Sequence, residues 1–107
     1  MNNGWFAYKD GRSAGEITKE GGVILRDDEH KLGARITLKR DLNHISISCH
    51  IYKRIDHSRF FRMISDADRE YKSMKTALGN MMIVIDAAAG DDIKIWEAIS
   101  EFVRQFP

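Results

Sequence analysis

The chain has 107 residues, 43% of them apolar and 31% charged, with a formal net charge of +1. That composition suits one folded domain over residues 1–107 and excludes the low-hydrophobicity, high-net-charge signature of disorder. A charge so close to zero gives no global attraction for nucleic acid or an anionic membrane, so either role requires a local patch.

The opening Met1-Asn2-Asn3-Gly4-Trp5 lacks a charged region followed by an apolar run, so no export signal is expected. From Trp5 to Lys9 the chain is aromatic-rich and extended, and Asp10-Gly11 suits a tight hairpin with a returning strand through Ile17. Gly21-Gly22 marks the next turn, Val23-Ile24-Leu25 a short strand, and Asp27-Asp28-Glu29-His30 a solvated acidic connection.

Alternation then becomes regular. In residues 34–39 the even positions Ala34, Ile36 and Leu38 are apolar and Arg35, Thr37 and Lys39 are polar, as in a half-buried strand. Residues 44–55 reverse the parity: Ile45, Ile47, Cys49 and Ile51 point one way, and Ser46, Ser48, His50, Tyr52 and Arg54 the other. Asp41-Leu42-Asn43 is short enough to join the two as an antiparallel pair. Phe60, Phe61, Met63 and Ile64 carry the chain off the sheet.

Ala67, Tyr71, Met74, Leu78, Met81, Met82 and Ile85 recur at steps of three and four, which is one buried face of a helix over about 66–88. Ser65 is its expected N-cap, with Asp66 and Asp68 favourably placed at the positive end of the helix dipole. Gly79-Asn80 is a weak point, but the stripe keeps its phase across it, so one continuous helix is preferred to a helix followed by a strand at 81–85. Asp91 or Asp92 caps a second helix over about 92–106, with its stripe at Ile95, Ile99, Phe102 and Phe106.

The fold class expected is α+β: an antiparallel meander of four or five strands within residues 5–62, covered on one face by the two C-terminal helices. Its core should include Ile36, Leu38, Ile45, Ile47, Cys49, Ile51, Tyr71, Met74, Leu78, Met82, Ile85, Ile99 and Phe102.

Motifs that carry chemistry are missing. Neither Gly-x-x-x-x-Gly-Lys nor Gly-x-Gly-x-x-Gly occurs, and there is no Gly-x-Ser-x-Gly turn. Asp56-His57-Ser58 holds the residue types of a hydrolase triad, but consecutive side chains diverge along a backbone. His44 and His50 share a strand face yet lie roughly 20 Å apart at about 3.3 Å per residue, too far for one metal. The single cysteine, Cys49, excludes an intramolecular disulfide and a paired-thiolate zinc site. No catalytic residue, cofactor or metal is therefore expected.

The charge distribution is less even than the total, since residues 31–62 sum to +6 and both flanking thirds are acidic. A polar, basic sheet face is expected opposite the isoleucines, and Arg35, Lys39, His50, Tyr52 and Arg54 are its candidate binding residues. This reads as a small cytoplasmic interaction or regulatory module with a protein partner. Residues 81–85, apolar nearly all round, suggest a homodimer. The alternative is single-stranded nucleic acid on the same face, and no apolar run is long enough to span a membrane.

Overall fold

The structure, a computed structural model, describes residues 3–107; Met1 and Asn2, part of the opening read for an export signal, lie outside them. Five strands, β1 (Trp5–Ala7), β2 (Val23–His30), β3 (Ala34–Arg40), β4 (Ile45–Ile51) and β5 (Ile55–Phe61), form one antiparallel sheet in sequence order. Helices α1 (Ile64–Ala87) and α2 (Asp92–Gln105) follow and cover one face of it. The expected α+β meander is the observed one.

The alternating apolar residues of β3 and β4 all turn toward the helices. Every member of the expected core is buried, joined by Trp5, Ala34, Ala67, Met81, Ile95 and Phe106. A core of that size suits a chain with no cross-link, because each large apolar side chain contributes roughly 1.5–3 kcal/mol on burial.

Three expectations about the strands change. β2 does not stop at Leu25 but runs through Asp27-Asp28-Glu29-His30, pairing residue by residue with β3 although no apolar–polar alternation marks that stretch. Arg26, Asp28 and His30 stand opposite Leu38, Ile36 and Ala34 on the helix side, and Asp27 and Glu29 opposite Thr37 and Arg35 on the other. Each of these three carboxylates meets a donor from another element, which is what lets it remain in a sheet.

The Asp10-Gly11 hairpin is replaced by a short 3₁₀ turn over Tyr8–Gly11, with Lys9 and Asp10 in the left-handed region (φ 50° and 56°). β1 pairs instead with the far end of β2, Trp5 opposite His30, and Ile17 makes only an isolated bridge to Val23. The third change ends β4 at Ile51. A tight turn with Lys53 at φ 65° starts β5 early, so residues 52–54 are not part of a strand.

Helix α1 is continuous through Gly79-Asn80, and its N-cap is Met63 rather than Ser65, with no side-chain cap bond. Gly79 is there for space. A Cβ on it would lie 2.8 Å from Trp5 Nε1 and 3.8 Å from His30 Cδ2, so the bare helix surface admits β1 and the end of β2. Asp91 caps α2 as expected, accepting from the Lys94 amide at 3.2 Å. The His57 ring bonds the Phe106 carbonyl and ties the end of the chain to β5.

Candidate functional site

Facing residues of an antiparallel pair project to the same side, so the register writes rows of side chains across the sheet face that the helices leave open. One row runs Phe6, Glu29, Arg35, His50, Asp56. The next holds Asp27, Thr37, Ser48 and Ser58, and a third Ile24, Lys39, Ser46 and Phe60.

The anchor of this face is Asp27, whose side chain is only 1% exposed. Arg35 grips it with both prongs of the guanidinium, Nε to Oδ1 at 2.8 Å and Nη2 to Oδ2 at 2.6 Å, and the Thr37 hydroxyl donates to Oδ1 at 2.9 Å. The Tyr8 ring closes over Arg35, 3.7 Å from the guanidinium carbon to the ring centroid. That paired carboxylate, through its hydrogen bonds, holds the Arg35 pKa above its usual range against the opposing effect of burial. A fork–fork pair under an aromatic lid is a rigid element, because the planar guanidinium has one way to satisfy both oxygens.

Two further pairs flank it. The Tyr52 hydroxyl reaches across β3 and donates to Glu29 Oε2 at 2.5 Å. Burial first, and that bond second, push the Tyr52 phenol well above its ordinary pKa. His50 bonds Asp56 directly across the β4–β5 ladder, with its ring 5.0 Å from that of Tyr52. Ser48 and Ser58 meet at 3.1 Å behind them. Tyr8, Arg35, Thr37, Ser48, His50, Tyr52 and Asp56 enclose a shallow depression of about 420 Å³, floored by hydroxyls and walled by rings and charged groups. At one corner Phe6 is 47% exposed, and at the opposite one Phe60, against His44, is 66% exposed.

No family model, curated protein or solved structure matches this chain.

The site is therefore described by its own geometry. Arg35, His50 and Tyr52 come together around one depression, and Lys39 shares their face two rows along, beside Ser46. Arg54 does not join them. It sits in the β4–β5 turn, where strand parity no longer applies, and lines a separate hollow with Leu32, Met82, Ile85 and Asp86. The face also differs in charge from the basic surface expected, because Asp27, Glu29 and Asp56 stand on it beside Arg35 and Lys39.

Sequence reading missed Tyr8, Asp27, Glu29, Asp56 and Phe60. Residues 26–30 are all charged or histidine, so no alternation signals the two β2 carboxylates, and nothing local marks Tyr8 as the lid of a residue 27 positions away.

Elsewhere, Asp56 and Ser58 look to the open face and His57 to the helices, so those neighbours do not converge. Cys49 is buried among isoleucines, and desolvation pushes its thiol pKa up to about 12, which leaves it without thiolate character near neutrality. Among the described residues, no three His, Cys, Asp or Glu side chains converge as a metal ion requires, and no helix is long and apolar enough to cross a membrane.

Proposed function

We propose that this protein is an interaction module that binds a partner protein through the open face of its sheet. The observation that carries the reading is the preassembled array Tyr8–Arg35–Asp27, Tyr52–Glu29 and His50–Asp56, bounded by the exposed rings of Phe6 and Phe60. Tyrosine, arginine and other aromatics concentrate at the energetic centres of interfaces, and side chains already held by hydrogen bonds lose little entropy on binding. Burial of the one thiol fits a reducing compartment such as the cytoplasm. The half-exposed Ile83 and Val84 of α1 support a homodimer across that helix. The three carboxylates weigh against single-stranded nucleic acid, whose phosphates they repel.

The test compares capture of partners from source cells by the tagged wild type and by a Tyr52→Ala, Phe60→Asp double variant. A stoichiometric protein that survives nuclease, and binds the variant at least about tenfold more weakly, is the expected result. A partner bound equally by both, or nucleic acid released by salt, overturns the proposal.

A further inference from the structure

The helix-side partner of Trp5, His30, is buried to 2% exposure and uses both ring nitrogens. The Leu32 amide donates to Nδ1 at 3.1 Å, so Nδ1 carries no proton, and Nε2–H donates to the Asn3 carbonyl at 3.1 Å. Only the neutral Nε2–H tautomer satisfies both bonds. Trp5 packs edge-on against the ring at 4.9 Å, and Gly4, at φ 93°, passes so close that a Cβ there would lie 2.8 Å from Nε2. The ring thus adds a side-chain fastening to the short backbone ladder that holds the first strand to the sheet.

β1 is short and carries parts of the open face. Its three residues make the whole of its pairing with β2. Trp5 and Ala7 look toward α1, Phe6 looks to the open face beside Glu29, and the chain continues directly into Tyr8, the lid over Arg35.

Protonation would place an N–H at Nδ1 facing the Leu32 N–H, donor against donor, and a charge inside an apolar contact. Little nearby would welcome that charge. Arg26, Lys31, Lys72 and Lys75 line the groove on that side against Asp28 and Asp86, and Asp28 is already taken by the Tyr71 hydroxyl at 2.7 Å and by Lys75 at 3.3 Å. From β3 the facing residue is Ala34, and from α1 it is Gly79. Burial, with Lys31 adding to it, accordingly lowers the His30 pKa, the Asn3 bond opposing in part.

We infer that His30 is a proton-operated latch: while neutral it holds β1 in place, and on protonation it releases β1, withdrawing Phe6 and Tyr8 from the open face. The consequence for binding rests on the open-face reading; the latch itself does not.

The sign follows from linkage. A histidine whose pKa is lower folded than free disfavours the attached state only when protons are available. Attachment is therefore complete above the free value of about 6.5 and weakens as pH falls, by up to about tenfold per pH unit. The reporter is the Lys31 amide, which bonds the Gly4 carbonyl at 2.9 Å and exchanges when β1 leaves.

NMR-detected hydrogen exchange should show the Lys31 protection factor dropping about tenfold between pH 7.5 and 5.5 while β3–β4 amides hold theirs, and His30→Gln should abolish that difference. Equal pH dependence in His30→Gln, or a flat profile in the wild type, overturns the latch. Should His30→Gln not fold, the ring nitrogen shifts of wild-type His30 decide. A neutral Nε2–H ring at pH 7.5 supports the latch, and a ring that titrates while Lys31 stays protected defeats it. With a partner in hand, binding that weakens with the loss of Lys31 protection supports the regulatory role, and binding indifferent to it removes that role. Failure of the open-face reading shows separately, as a partner that ignores Tyr52→Ala, Phe60→Asp.

Discussion

The two faces of this sheet are built from the same strands by different physics. On the helix side Ile36, Leu38, Ile47, Cys49 and Ile51 pack against α1 and α2, and their stability comes from area removed from water. On the open side the order comes from pairs that cross between elements: Arg35 of β3 with Asp27 of β2, Tyr52 of the β4–β5 turn with Glu29 of β2, and His50 of β4 with Asp56 of β5. Packing is non-directional and tolerates many sequences; a fork–fork ion pair under a ring specifies a geometry. The Asp27 pair keeps a buried carboxylate in the sheet, and around it the half-exposed His50, Phe6 and Phe60 extend an ordered surface to solvent, which is the physical ground for the proposed binding role.

The comparison can be broken at its strongest point first. Leu78→Ala empties a fully buried position and should cost on the order of 3 kcal/mol in chemical denaturation. A cost under about 1 kcal/mol would mean the helix layer is not what holds the covered face.

On the open side, Asp27→Ala leaves Arg35 and Thr37 without their acceptor in a nearly dry position and should cost about 2 kcal/mol. It should also free the Tyr8 lid, read as faster amide exchange at residues 8–12. If stability does not change, the array is ornamental, and the contrast between the faces fails with it.

The smallest effect tests the seam between β1 and α1. In an exposed helix Gly→Ala is stabilising by about 1 kcal/mol, but Gly79→Ala should destabilise by about 1 kcal/mol, because its methyl meets the Trp5 indole. A gain in melting temperature would show that β1 moves aside at no cost, and would weaken the latch assigned to His30.

Much of this architecture is legible in the sequence. Periods of two and of 3.6 placed β3, β4, α1 and α2, and the parity of β3 and β4 brought Arg35, Lys39 and His50 to one face, while Tyr52, in the turn after β4, reaches that face through its bond to Glu29. The reading failed where charge hid the pattern. Asp27-Asp28-Glu29 resembles a solvated loop, because a carboxylate in a strand is costly until its donor is known. Arg54 was misplaced because parity carries no information past the residue where a strand ends, and the Lys53 turn has no glycine to announce it.

By itself the sequence determined the apolar core of β3, β4, α1 and α2 and the order of sheet then helices, since hydrophobic periodicity is a local property that burial enforces residue by residue. Only the tertiary structure decided that Tyr8 covers Arg35, that Glu29 meets Tyr52, and that His30 fastens β1. Those contacts join residues 23 to 27 positions apart, and each exists because strand register and a bare glycine on α1 bring particular atoms within reach.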